Sequence, residues 1–279
     1  MFKTIILTLG KAVNNVMTFA QYIDNPMGKS NAVFAARDAY KIEYTDKFDA
    51  LFMREAGRIK RTLYYDKAHD AYYAHIKIPS ETVEKFYYDV VIRFFTDDNA
   101  QRTNSSLKDY QVQFFSNDPA FVYTYMYVFL KHNMLVEDLK PKCSKASLTM
   151  KPVERNAYEV PGYVKSIYFA YILMSRTDMF LKSTYQNFGL RYSKTALLNT
   201  VDSVDKKMDE RRIAEAKQKK LKKQQKFDKQ RIADRTTKTQ SNTNSVKKVS
   251  TVKKVGTVNT VNGGNRVSKV STIKRRMPK

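Results

Sequence analysis

Two stretches, AYYAHIKIP (residues 71–79) and KFYYDVVIRFF (residues 85–95), decide the expected fold. Both are rich in β-branched and aromatic residues whose side chains fall on two alternating faces, as they do along a β-strand. Pro79 ends the first stretch, and TDDNAQ (residues 96–101) breaks the second. Tyr110, Val112 and Phe114 repeat the alternation in a third segment. Three successive half-buried strands predict an antiparallel sheet.

Two very apolar segments, residues 114–133 and residues 162–176, are expected to be helices. In FFSNDPAFVYTYMYVFLKHN (residues 114–133), Asp118 is a good N-cap and Pro119 suits the first helical position. The same segment ends on Lys131, His132 and Asn133, a cationic and Asn-ended helix terminus. The second segment is GYVKSIYFAYILMSR, residues 162–176. Helices this hydrophobic should pack on the sheet, so the predicted fold class is α+β with an antiparallel sheet and packed helices.

The charge of the chain is concentrated near its C-terminal end. The formal net charge is +24. Residues 206–279 contain 24 Lys and Arg but 5 Asp and Glu, whereas residues 1–205 contain 27 and 22. No acidic residue follows Asp234. The sequence therefore predicts a nearly neutral globular body followed by a polycation.

Composition predicts four regions along the chain. Residues 1–61 form an N-terminal helical region, and residues 62–194 form the α+β core domain. Residues 195–235 lack Gly and Pro and are expected to be one long charged helix. The spacing of its apolar residues predicts that its first half packs against another part of the protein or a partner; these residues are Leu197, Val201, Val204 and Met208. Residues 236–279 carry valines three residues apart among Lys, Ser, Thr and Asn, which predicts a disordered basic tail.

The titratable residues indicate little catalytic chemistry. Cys143 is the single cysteine and lies among lysines in KPKCSKAS (residues 140–147), which could lower its thiol pKa. The three histidines, His69, His75 and His132, are interpreted as surface or edge residues, and no metal site is expected. No phosphate loop, dinucleotide fingerprint or nucleophile elbow occurs, so no cofactor is expected.

Three carboxylates leave an enzymatic alternative open. Asp97 and Asp98 resemble the Mg²⁺-binding carboxylates that nucleases place at strand ends, although a D-D-N turn favours hydrogen bonding to the local backbone. Asp89 lies in mid-strand, where exposure on an edge strand would explain a carboxylate. A nuclease site at these three residues is kept as the third hypothesis.

One predicted sheet face carries aromatic and basic residues that could stack on bases. No ribonucleoprotein motif is present, so ordinary sheet packing is the competing interpretation. The residues are Tyr73, Tyr87, Phe95, Lys77 and Arg93.

The chain resembles virion proteins of tailed bacteriophages with low-GC genomes. The resemblance rests on FFSNDPAFVYTYMYVF (residues 114–129), PGYVKSIYFAYILMSR (residues 161–176), the Lys-, Asn- and Tyr-rich composition and the Val-Lys-Lys repeat of the tail. The resemblance covers residues 72–188 and the composition and repeat pattern of the tail, and it identifies no catalytic residue. It implies a virion protein that is made in the host cytoplasm.

The leading hypothesis is a non-enzymatic structural or packaging protein of a phage particle. Its body would dock onto other virion proteins or further copies of itself, without a membrane, while its basic tail binds DNA or an acidic subunit. The alternative is a nucleic-acid-binding accessory protein that is not part of a virion. The candidate polyanion contacts are Lys219, Lys220, Lys222, Lys223, Lys247, Lys248, Lys253, Lys254, Arg275 and Arg276.

Overall fold

A computed structural model describes residues 17–24, 31–55, 59–96, 101–152, 156, 159, 161, 162 and 164–247. A first compact unit ends at Lys222, and a second unit begins at Lys223. Short 3₁₀ turns lie at Gln101–Thr103, Leu107–Asp109 and Glu137–Lys142. The helices and strands are α1 (Phe19–Asp24), α2 (Asn31–Arg54), β1 (Arg61–Asp66), β2 (Ala71–Pro79), β3 (Tyr87–Phe95), β4 (Gln111–Ser116), α3 (Pro119–Thr124), α4 (Met126–Lys131), α5 (Lys145–Thr149), α6 (Lys165–Arg176), α7 (Lys182–Phe188), β5 (Leu190–Arg191), α8 (Lys194–Thr200) and α9 (Val204–Lys247).

The five strands form one sheet in the order β4-β3-β2-β1-β5. β1, β2, β3 and β4 pair antiparallel, with Ala74 opposite Ile92 and Ile92 opposite Phe114. β5 pairs with β1 in parallel through two residues, Leu190 and Arg191. The α+β fold and the three predicted strands are confirmed, and β5 makes the sheet mixed.

The first face of the sheet is covered by α1, α4, α6 and α7, and α2 packs on α6. Phe114 on β4 lies at the centre of this layer, where its ring contacts those of Phe19, Tyr22 and Phe129 at centroid distances of 5.6, 4.7 and 5.8 Å. Ring pairs at such distances add edge-to-face attraction to the hydrophobic gain of burial. This aromatic layer is the main core of the body.

The second face is also covered, so the expected half-burial of the strands is wrong. Tyr73 on this face stacks on Tyr192 with ring centroids 4.3 Å apart and planes 7° apart. Leu139, Leu197, Val201 and Val204 belong to the same buried cluster of residues. The 3₁₀ turn at Glu137–Lys142, α8 and the start of α9 therefore form a second layer on the sheet.

The two predicted apolar helices are present, with one interruption. Asp118 caps α3 by accepting a hydrogen bond from the Ala120 backbone N–H at 3.0 Å, as expected. Tyr125, with φ −126° and ψ −23°, separates α3 from α4. Asn133 adopts the left-handed φ of 56° just after α4. Among the described helices, none is both long enough and apolar enough to cross a lipid bilayer.

The predicted long C-terminal helix is divided near its start. α8 ends at Thr200 and α9 begins at Val204, and Leu197, Val201 and Val204 are buried as predicted. α9 continues beyond the expected end at Arg235 as far as Lys247. The rest of the predicted disordered tail, including the valine repeat beyond Lys247, lies outside the described residues.

Replacing Phe114 by alanine should lower the free energy of unfolding by about 3–5 kcal/mol, because a fully buried ring is lost and leaves a cavity. Urea denaturation followed by circular dichroism measures this loss. The matched control is Phe188→Ala, which removes a ring that is 79% exposed and should change stability by less than about 0.5 kcal/mol. Equal losses in the two variants would contradict this description of the core.

Candidate functional site

The joint between α8 and α9, residues 201–203, is attached to the sheet by a buried carboxylate. Asp89 on β3 is 1% exposed and accepts hydrogen bonds from His75 Nε2 and Asn117 Nδ2, both at 2.8 Å. The backbone N–H of Asp202, within the joint, donates to the same carboxylate at 3.3 Å. Lys77 Nζ lies 3.6 Å from Asp89 Oδ1. One side chain thus links β2, β3, the end of β4 and the start of α9.

The ionised form of Asp89 is stabilised by these partners. Burial opposes ionisation, but the hydrogen bond and charge of His75, the charge of Lys77 and the Asn117 amide outweigh it and lower the pKa of Asp89. Asn117 also accepts a hydrogen bond from the Asp89 backbone N–H at 2.8 Å. Because protein donors surround both carboxylate oxygens, Asp89 positions neighbouring elements and is poorly suited to bind a metal ion.

A second charge cluster continues from the joint into α9. Asp202 pairs with Lys206 at 2.5 Å and with Lys207 at 2.8 Å. Burial disfavours its charge, but these two ammonium groups more than offset that effect and lower the pKa of Asp202 to about 2. Lys207 is itself buried, pairs with Glu210 and lies 5.3 Å from the centroid of the Phe86 ring. The first turn of α9 is therefore held by charge as well as by apolar packing.

Two sequence interpretations of this region are wrong. His75 is 3% exposed and is therefore not a surface histidine, and Asp89 is buried in a central strand and does not lie on an exposed edge. Alternation alone hides this burial, because the covering layer comes from residues far later in the chain. Asp97 and Asp98, the other members of the nuclease hypothesis, lie outside the described residues.

The structure describes only some of the lysines and arginines that were predicted to bind a polyanion. Lys219, Lys220, Lys222 and Lys223 all lie on α9 and are exposed. Lys247 is the last residue of α9. The remaining predicted contacts lie outside the described residues, and they are Lys248, Lys253, Lys254, Arg275 and Arg276.

The aromatic sheet face that was predicted to be able to stack on bases is covered by other parts of the chain. The Tyr73 ring stacks on the Tyr192 ring, and the Tyr87 hydroxyl donates a hydrogen bond to Glu55 at 2.8 Å. Arg93 lies over the Phe95 ring at 4.5 Å and donates to Gln113. Lys77 pairs with Asp89. These five residues do share a face, on which Tyr73 is buried and the other four are half-buried and engaged by the contacts above. Ordinary sheet packing therefore explains their aromatic composition.

The lysines next to Cys143 in the sequence could have lowered the pKa of its thiol, but the structure indicates the opposite shift. Burial raises the pKa of Cys143 to about 12, and the charge of Lys140 offsets only part of this effect. Its Sγ donates to the Leu139 carbonyl at 3.5 Å. A thiol with such a pKa is almost wholly protonated near neutral pH, so Cys143 has the environment of a packing residue.

A cleft of about 530 Å³ opens at one end of the sheet, and the sequence analysis missed it. It is lined by the end of β2, the loop that follows, Tyr88 of β3, α3, the start of α6 and one residue of α9. No motif marks it, because its lining residues come from five separate stretches of the chain. Its polar and aromatic lining includes Glu81, Tyr88, Asp118, Tyr123, Lys165 and Arg211.

The polar groups in this cleft fall into two ion pairs and one buried acid. Glu81 Oε2 pairs with Lys165 at 2.5 Å, and Arg211 Nε donates to Glu215 at 2.7 Å. Burial raises the pKa of Asp118, although its hydrogen bonds to Ala120 and Ser166 act in the opposite direction. Within the ranges that the structure describes, no group of three or more His, Cys, Asp or Glu residues is arranged to hold a metal ion.

Asp89→Asn should destabilise the protein by about 3 kcal/mol, because the neutral amide cannot accept from His75, Asn117 and Asp202 together and leaves buried donors unpaired. Chemical denaturation measures the loss. Asp66→Asn is the matched control, because the half-buried Asp66 forms the same type of pair at 2.7 Å with the exposed His69. This change should cost less than about 1 kcal/mol. A loss for Asp89→Asn no larger than that of the control would contradict the proposed role of the buried carboxylate.

Comparisons with known proteins do not assign the chain to a family. No family model, curated protein or solved structure matches it.

Proposed function

We propose that the protein is a non-enzymatic structural or packaging component of a tailed-phage particle. In this proposal the body docks onto other particle proteins, and the basic C-terminal part binds DNA or an acidic protein. The observation that carries the proposal is the exposed cationic stretch of α9, because its charge is not used in folding the body.

The cationic stretch consists of residues 219–233, every one of which is exposed. Its single acidic residue is Asp228, which leaves a large excess of positive charge. A helix that buries nothing gains little stability from packing, so such a composition fits a segment selected for its charge. The cations of this stretch are Lys219, Lys220, Lys222, Lys223, Lys226, Lys229 and Arg231.

Binding to DNA would act through release of condensed counterions. Each phosphate that a lysine neutralises makes the logarithm of the affinity fall with the logarithm of salt concentration, with a slope of about −0.9 on duplex DNA. Exposed lysines on one helix contact phosphates and carry no base-specific information. The proposal therefore predicts affinity for any nucleic acid of sufficient length, whatever its sequence.

The docking role of the body is supported by exposed apolar residues that lie outside the aromatic core. Phe188 at the end of α7 and Leu190 on the edge strand β5 are 79% and 57% exposed, and Gly189 lies between them. Met53 on α2 is also strongly exposed. Exposed aromatic and aliphatic side chains are enriched at protein interfaces. The particle setting itself rests on the resemblance to phage virion proteins.

Changing Lys219, Lys220, Lys222 and Lys223 to glutamine should reduce the salt slope of DNA binding by up to about four and weaken binding to all sequences alike. Fluorescence anisotropy with duplex DNA over a series of salt concentrations measures both quantities.

The control variant removes four exposed lysines from the body, Lys60, Lys67, Lys85 and Lys145, by the same change to glutamine. It lowers the net charge equally and should leave the slope almost unchanged, since these lysines are dispersed over the body. An equal change in the two variants would mean that only net charge matters and would contradict a binding segment on α9.

The particle setting predicts that the protein sediments with assembled virions. The four-lysine variant of α9 should still be found in the particle fraction, because the body supplies docking. Density-gradient fractionation of infected cells followed by immunoblotting tests this. A protein that binds DNA but stays entirely in the soluble fraction would instead support the alternative, an accessory nucleic-acid-binding protein outside the virion.

A further inference from the structure

The cleft at the end of the sheet contains three groups whose binding capacity is not used within the described part of the chain. Glu81 Oε1 is buried and accepts no hydrogen bond. Arg211 donates to Glu215 through Nε, and its guanidinium carbon lies 5.9 Å from the centroid of the Tyr88 ring. Its two terminal nitrogens still carry N–H groups that can donate. The Tyr123 ring is 68% exposed and makes no ring contact there. Buried polar atoms in native proteins are nearly always satisfied, which makes the unpaired oxygen of Glu81 an indication of a missing donor.

The cleft has the size and the lining of a small-molecule site. Its volume of about 530 Å³ is within the usual range of 300–1,000 Å³ for ligand pockets. Its charges are largely balanced, since Lys165 pairs with Glu81 and Glu215 pairs with Arg211. Burial raises the pKa of the remaining acid, Asp118, and so opposes a further negative charge. Such a site disfavours a highly charged ligand and suits one that has a flat ring, one hydrogen-bond donor and a single negative charge.

We propose that this cleft binds one unpaired nucleobase of a single-stranded nucleic acid. The base stacks on the Tyr123 ring, and the adjoining phosphate accepts from the terminal nitrogens of Arg211. The Glu81 side chain, which is 26% exposed, turns so that Oε1 leaves its buried position and accepts from an exocyclic amino group of the base. Stacking on an exposed aromatic ring is the usual way in which proteins hold unpaired bases. A guanidinium presents two parallel donors that match a phosphate.

Glu81 also predicts a preference among bases. A carboxylate accepts from the amino group of cytosine, as Glu and Asp do in base readout. Thymine presents a carbonyl oxygen at the same position, and two acceptors facing each other in a buried site are unfavourable. The cleft should therefore bind cytidine better than thymidine.

This inference rests on the nucleic-acid part of the proposed function, but it involves different residues and a different type of contact. The lysines of α9 are expected to bind phosphates of any sequence, and the cleft is expected to bind a base. An abasic oligonucleotide, which has phosphates but no bases, separates the two contributions.

The test measures binding of the full-length protein to oligodeoxycytidylate, oligothymidylate and an abasic strand of equal length by fluorescence anisotropy. Tyr123→Ala should weaken binding of the cytidine strand about tenfold and leave the abasic strand unaffected. Tyr123→Phe keeps the ring and should retain the affinity. Glu81→Gln should reduce the preference for cytidine over thymidine, because the amide can donate to the thymine carbonyl.

Phe188→Ala is the matched control, since it removes an exposed aromatic ring that does not line the cleft. It should leave all three affinities unchanged. Equal affinity of the unmodified protein for the three strands, or equal effects of Tyr123→Ala and Phe188→Ala, would overturn the base-binding site. If the four-lysine variant of α9 still binds every strand as the unmodified protein does, the α9 proposal fails. The cleft is then still tested by Tyr123→Ala and by the comparison of the three strands.

Discussion

The buried carboxylate of Asp89 is the constraint on which the arrangement of the body depends. A charge inside a sheet is costly unless donors surround it, so His75, Asn117, Lys77 and the Asp202 backbone must all be in place around it. These donors come from β2, from the residue that follows β4 and from the joint between α8 and α9. Satisfying one carboxylate therefore fixes where the charged helix α9 begins relative to the sheet.

Both faces of the sheet are buried, and the contacts of Asp89 join the layer on the second face to the sheet. The first face is covered by an aromatic layer in which Phe114 contacts Phe19 and Tyr22. The second is covered by Tyr192 and α8 and by the start of α9, which Asp202 joins to the polar centre. A sheet with two covered faces has few aromatic rings left for ligands, so candidate ligand contacts lie in the cleft at the end of the sheet and along exposed α9.

The proposed function uses two kinds of surface that differ in physical character. The exposed lysines of α9 interact through long-range charge, which is strong at low salt and carries no sequence information. The cleft would combine ring stacking with hydrogen bonds, and such contacts depend on the identity of the bound group. A protein with both surfaces would be attracted to a polyanion by the first and would distinguish its bases by the second.

The amino-acid sequence by itself determined the alternating strands, the Asp118-capped helix, the charge separation and the exposed lysines of α9. These depend on local periodicity, local capping and composition, which are visible within a few residues. Only the tertiary structure decided that Asp89 and His75 are buried, that β5 joins the sheet in parallel, that burial raises the pKa of Cys143, and that Glu81, Tyr123 and Arg211 line one cleft. Each of these depends on residues from distant parts of the chain, and no local pattern records which distant group will cover or pair with a given side chain.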